Sequence, residues 1–231
     1  MEKSIINCMK DLNRDYIDIF HLHAARIRKG NVLEERAGAW KCLIDYKQKG
    51  YIRAIGVATH LVNIVDYMTD EPELDVIFPL VNKFGIGIEG GSVDDMLTAM
   101  AKAQANGKGI YTMKLLGGGN FLDKYKEVLE FGRSISGVTA HAIGMVSKEE
   151  LGMNLRFFND EPITEQEYAA TKNKKQIHVS PHLCKRCGVC VETCPSFAMT
   201  LVEGTPEVDY DKCLLCAYCA AACPEFAIRV K

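Results

Sequence analysis

The chain is short of several things, and each shortage narrows its class. It has no surplus of positive charge: 28 Lys and Arg face 30 Asp and Glu, a formal net charge of −2. A nucleic-acid partner needs a basic footprint, so none is expected. Long apolar runs are missing too, and no membrane span is expected. The opening Met1-Glu2-Lys3-Ser4 lacks the apolar core of a secretory leader. With 231 residues, 48% apolar and 25% charged, the composition is that of a globular protein large enough for one medium domain and a small second one.

Cysteine, by contrast, is plentiful, with ten in the chain. Eight of them fall in two copies of one pattern: Cys184, Cys187, Cys190 and Cys194-Pro195, then Cys213, Cys216, Cys219 and Cys223-Pro224. Each copy reads C-x2-C-x2-C-x3-C-P, the spacing bacterial ferredoxins use for [4Fe–4S] clusters. A cubane needs four thiolates around it; three come from one tight loop and the fourth from elsewhere. In the two-cluster arrangement the last Cys of each copy crosses to the other cluster. Cluster one therefore takes Cys184, Cys187, Cys190 and Cys223, and cluster two takes Cys213, Cys216, Cys219 and Cys194. A zinc site built from C-x2-C pairs would leave half of these thiols over. A disulfide framework belongs to small secreted chains. Oxygen-sensitive clusters beside free thiols suit a reducing cytoplasm, in a bacterium or archaeon living with little or no oxygen. Cys8 and Cys42 lie in helical patterns and read as packing residues.

Ahead of the cysteines, residues 4–13 have helical periodicity, and 16–23 (YIDIFHLH) reads as a strand. Residues 32–49 form a helix closed by Gly50, 51–58 a strand and 61–68 a helix. Residues 74–81 form a strand, although Pro79 sits awkwardly in a buried one. Ser92 caps a helix with Asp94 and Asp95 in its first turn, ending at Gly107. Residues 109–115 form a strand, 122–133 a helix and 138–144 a strand. Ser147-Lys148-Glu149-Glu150 is a capping box opening a further helix. Five strand–helix units in strict alternation predict parallel strands with right-handed crossovers, an α/β fold. Periodicity alone leaves a barrel and an open sheet both standing. The polar stretch 159–180, with Asn173-Lys174-Lys175-Gln176, reads as a linker containing a short helix from 164 to 170. A small hairpin over 199–202 and 206–210, turning at Gly204, joins the two cysteine halves. The domain division is then 1–158, 159–180 and 181–231.

Four stretches carry a resemblance. Asp15 to His23 resembles the fourth barrel strand of the aldo/keto reductase family, which ends in its catalytic His. Ala54-Ile55-Gly56-Val57-Ala58-Thr59-His60 resembles the fifth strand. Met113-Lys114-Leu115-Leu116-Gly117-Gly118-Gly119 resembles the seventh strand and its loop, and Gly144-Met145-Val146-Ser147 through Asn154 resembles the eighth strand and the cofactor-gripping helix start. The resemblance spans residues 1 to about 158 and implies a partial (β/α)8 barrel of about five units, followed by a small α+β ferredoxin domain. It also implies NAD(P)H-dependent carbonyl reduction at the C-terminal face. Of the family's Asp, Tyr, Lys and His tetrad, only His23 has a matching position. Thr59, Met113, Lys114, Gly117, Gly118, Gly119, Ser147 and Asn154 fall at nucleotide-binding positions. Glu150, where NADP-preferring members often carry a cation, points to NADH over NADPH. Several of these residues also have plainer readings. His21 reads as packing, His23 as a buried histidine satisfied by backbone, Lys114 as a snorkelling lysine and the glycine run as a flexible loop.

Three functions fit. The first is an oxidoreductase whose two clusters exchange electrons with a nicotinamide or carbonyl site, aided by a redox partner protein. The second is a non-catalytic ferredoxin-type module whose barrel remnant docks a partner. The third is the C-terminal fragment of a complete NAD(P)H-dependent reductase. Missing strands leave two apolar sheet edges, so a partner or a further copy is expected to cover them.

Overall fold

The computed structural model describes residues 1–24, 31–145, 147–170 and 176–230. These residues form two compact units. The first comprises Met1–Val81, Ile88–Met113 and Ile135–Ala142. Helix α1 (Glu2–Leu12) precedes strand β1 (Ile17–His23). Then come α2 (Val32–Glu35), α3 (Ala37–Gln48), β2 (Ile52–Thr59), α4 (Val62–Met68), β3 (Val76–Pro79), α5 (Val93–Ala105), β4 (Gly109–Met113) and β5 (Ala140–Ala142). The strands make one five-stranded sheet in sequential order, and every pairing is parallel. This is the α/β alternation expected from the periodicity.

Local chemistry sets the boundaries. Residues 32–49, expected as one helix, are two, because Arg36 leaves helical geometry at φ −121°. Ser92 opens α5 with a reciprocal capping box to Asp95, satisfying two otherwise orphaned backbone donors. Pro79 is tolerated because it is the last residue of β3, where the ladder makes its final pairing opposite Thr59. The next donor, Leu80 N–H, returns to the Thr59 carbonyl at 2.9 Å. Ile55, Val57, Ile77, Leu43, Met68 and Met96 are fully buried. Each such side chain contributes about 1.5–3 kcal/mol by leaving water.

The second unit comprises Asn82–Gly87, Lys114–Ser134 and Ile143–Lys231. It holds α6 (Tyr125–Ser134), α7 (Lys148–Phe158), α8 (Glu165–Ala170), β6 (Ile177–Val179), α9 (Val189–Thr193), β7 (Met199–Val202), β8 (Thr205–Val208), α10 (Tyr218–Ala222) and β9 (Ile228–Val230). Strands β7 and β8 form the expected hairpin, and β6 pairs antiparallel with β9. The loop after β4 and the helices α6 and α7 therefore cluster with the cysteine-bearing segment, not with the sheet they follow in sequence. Of the linker read at 159–180, residues 171–175 lie outside the described residues. No helix among the described residues is long and apolar enough to cross a membrane.

Candidate functional site

The cysteine-bearing segment is built twice on one plan. A C-x2-C-x2-C run has to double back to aim three thiols at one point, and left-handed backbone makes the bend. Arg186 (φ 57°) and Gly188 (φ 80°) do this in the first half; Leu215 (φ 47°) and Ala217 (φ 62°) do it in the second. Cys190 and Cys219 then ride on the short helices α9 and α10. The fourth cysteines, Cys194 and Cys223, cap those helices in extended backbone, at ψ 114° and 112°. The proline after each explains the exit, since it disfavours helical geometry in the residue before it.

This plan gathers the thiols in two sets. Cys184, Cys187, Cys190 and Cys223 line one cavity, together with Gly188 and Pro224. Cys216 and Cys194 lie close enough to Cys213 and Cys219 to push the pKa of those two thiols up. Burial pushes the Cys190 and Cys213 thiols up, and the Cys219 thiol up to about 11, with neighbouring thiols adding to the effect. Such groups surrender their protons to a metal, not to water at neutral pH. Backbone N–H groups already point at sulfur: Ala198 to Cys194 at 3.2 Å, Ala227 to Cys223 at 3.3 Å and Arg186 to Cys184 at 3.4 Å. Ile177, Ala198, Met199 and Ile228 pack around the buried thiols. Among the described residues no group of His, Cys, Asp or Glu is drawn tightly enough around one point to hold a single metal ion. Four thiols spaced around a cavity suit a cluster with several irons better than a mononuclear ion. The donor set, its burial and its N–H groups all fit [4Fe–4S] chemistry.

The sheet unit carries a second polar group on one face. His21, on β1, reaches across Gly56, and its Nε2 lies 2.6 Å from the Tyr111 hydroxyl on β4. The Tyr111 ring stacks on Phe78 with centroids 4.1 Å apart. Burial, with a smaller contribution from His23, lowers the His21 pKa to about 4, so the imidazole is neutral at pH 7. Burial also raises the Tyr111 pKa and keeps the phenol protonated. His21 Nδ1 is buried with no hydrogen-bond partner among the described residues. Residue spacing carries no signal for Tyr111 and Phe78. The cross-strand register that aligns them comes only from the folded sheet.

The residues singled out in the sequence divide between the units. His23, Thr59 and Met113 belong to the first. His23 ends β1, exposed and opposite Ala58 of β2. Thr59 is fully buried, and its hydroxyl accepts from Leu61 N–H at 3.1 Å, so it serves a local turn. Met113 ends β4, and its carbonyl accepts from Val81 N–H. Lys114, Gly117, Gly118, Gly119, Ser147 and Asn154 belong to the second unit. Lys114 takes left-handed backbone at φ 66°. Gly118 is packed on the Leu214 carbonyl of the cysteine-bearing segment. Ser147 caps α7, its hydroxyl accepting from Glu150 N–H at 3.2 Å. Asn154 is buried, and its Oδ1 accepts from the Tyr125 hydroxyl at 2.8 Å.

Fold and site together define a parallel α/β domain joined to an iron–sulfur dicluster domain. The chain belongs to the aldo/keto reductase family, whose model matches residues 1–136. A 4Fe-4S dicluster domain matches residues 183–227, so the chain carries 4Fe-4S clusters. No curated protein matches it. Among solved structures it is similar to an aldo-keto reductase of Pseudomonas aeruginosa, at 23% identity and a TM-score of 0.53, covering 68% of this chain and 55% of that one. It is also similar to the aldo-keto reductase AKR11C1 of Bacillus halodurans in its apo form, at 15% identity and a TM-score of 0.53, covering 74% and 66%. The chain therefore spans less than two thirds of the length of either. At these identities the likeness is one of fold.

Proposed function

We propose that this chain is an iron–sulfur oxidoreductase in which two [4Fe–4S] clusters move electrons to or from an aldo/keto reductase-type domain. The observation that carries the reading is the single cavity lined by Cys184, Cys187, Cys190 and Cys223. It supports the crossed ligand assignment, with Cys213, Cys216, Cys219 and Cys194 holding the second cluster. Each cluster passes one electron and a hydride carries two, so a pair of clusters matches the count. The five-stranded sheet is read as part of a (β/α)8 barrel, with His23 at the carbonyl. NADH or NADPH is the nucleotide that family membership favours. Ser147, at the start of an 11-residue helix, is the anion-binding candidate. The ordinary partner is a soluble one-electron carrier.

The test is anaerobic reconstitution of the 231-residue chain, followed by iron and sulfide analysis and an assay of NADH or NADPH oxidation with a panel of aldehydes and ketones. Two clusters and carbonyl-dependent oxidation are expected, with cluster bleaching on chemical reduction. Two clusters without any carbonyl-dependent oxidation would overturn the catalytic half of the reading.

A second reading has its own support. β1 is an edge strand, and Ile19 on it is 40% exposed. That combination favours an electron-transfer module whose sheet is covered by a partner protein. Under it, the chain would shuttle electrons with no nucleotide turnover, and the same assay separates the two readings.

A further inference from the structure

The loop that follows β4 makes an unusual contact for its position. Asn120 donates from Nδ2 to two carbonyl oxygens: that of Gly117 in its own loop, at 2.9 Å, and that of Cys213. Both acceptors are carbonyls, so the amide can only present its nitrogen, and both of its hydrogens are used. Two residues earlier, Gly118 has φ 75°, and a Cβ built there would lie 1.8 Å from the Leu214 carbonyl oxygen. No other residue type fits that spot without moving the backbone. The loop is itself fixed. Phe121 rests against Phe84 with ring centroids 4.7 Å apart, and the Tyr168 hydroxyl donates to the carbonyls of Leu122 and Asp123 at 3.2 and 3.1 Å.

Cys213 and Leu214 begin the run that ends at Cys216, so the clasp falls on the loop carrying two thiols of the second set. The two halves share a backbone plan, and this contact adds a chemical difference between them.

We propose that Asn120 is a positioning residue for the second cluster. Its amide fixes the Cys213 carbonyl, and with it the peptide and thiol that would hold the irons. Cluster potential responds to hydrogen bonding, local charge and solvent access, so this loop sets the potential of one cluster and not the other. The glycine run that the family resemblance places at nucleotide-binding positions serves, on this proposal, as a clasp on the electron-transfer segment. The inference rests on the cluster assignment above.

The test uses the full chain, reconstituted anaerobically, in wild-type, Asn120→Asp and Asn120→Ala forms. Redox titration is followed by electron paramagnetic resonance, and a Cys216→Ser chain marks the signal of the second cluster. A carboxylate at 120 adds negative charge beside a centre that gains an electron on reduction. Asn120→Asp should therefore lower the midpoint of the second cluster and leave the first in place. Asn120→Ala should make the second cluster alone lose iron faster to a chelator. Selective loss of that one cluster during reconstitution would also support the proposal. Two intact clusters with both midpoints and both chelation rates unchanged would overturn it, as would equal changes in both. A purely structural role would lower folding stability without separating the clusters. A wild-type chain that assembles no clusters would overturn the underlying assignment as well, and is told apart by the iron analysis.

Discussion

His21 Nε2 and the Tyr111 hydroxyl sit 2.6 Å apart, although 90 residues of chain separate them. The contact spans β1 to β4, across two intervening strands. One tautomer of His21 donates to the phenol and the other accepts from it; either way one proton lies between them. With Nδ1 already unpartnered, Tyr111→Phe would leave both ring nitrogens without a bond. A loss of about 1–3 kcal/mol is expected, read as a lower urea midpoint at unchanged slope.

Gly56 makes that contact possible. A Cβ there would stand 2.2 Å from His21 Nδ1, so Gly56→Ala must push the imidazole off its present path. A cost of about 1–3 kcal/mol is expected. In His21→Ala the obstruction disappears, so the double variant should be more stable than the sum of the two single losses implies. Strict additivity in the cycle would disprove the steric account.

Acidification should weaken the fold through the same residue. The folded pKa of His21 is about 4, below its ordinary 6.5. Between those values the unfolded chain binds a proton that the folded chain refuses, so stability falls as the pH drops from about 6.5 to about 4 and then levels. The loss attributable to His21 is on the order of 3 kcal/mol. In urea titrations across this range the wild type should lose that amount of stability on acidification while His21→Phe does not, whatever the offset between them at pH 7.

Crossed ligation makes a prediction that linear sequence would not. Cys223→Ala should damage the same cluster as Cys187→Ala, although residue 223 belongs to the second cysteine copy. Cys194→Ala should pair with Cys216→Ala. Paramagnetic resonance of the four variants sorts them into two couples. Sorting by sequence copy would disprove the crossing.

Asn154 tests how far a family position predicts a role. Its Oδ1 holds the buried Tyr125 hydroxyl, whose pKa burial raises. Asn154→Ala should destabilise the fold by about 1–3 kcal/mol through that orphaned hydroxyl. A loss of nucleotide affinity at unchanged stability would instead favour the cofactor role.

Periodicity revealed the sheet because each strand–helix unit buries its own apolar face, a local property. The five strands and most helices begin within two residues of where the pattern puts them. The cysteine copies were readable for a different reason: a cubane dictates spacing directly. The break at Arg36 was not readable, since it depends on one backbone angle. Nor were the His21–Tyr111 contact and the Asn120 clasp, which need strand register and the approach of distant segments. The pairing of β6 with β9 escaped notice because three-residue strands carry too little pattern to stand out from a linker.

That last pairing has a consequence of its own. Ile177 lies opposite Val230, and Val179 opposite Ile228, so the first and last strands of the cysteine-bearing segment are neighbours. The segment enters and leaves at one place, like a charm hung from a single ring. A unit closed in this way can be spliced onto unrelated hosts without rerouting their chains. Fraying at either end of the segment is also opposed by the strand at its other end.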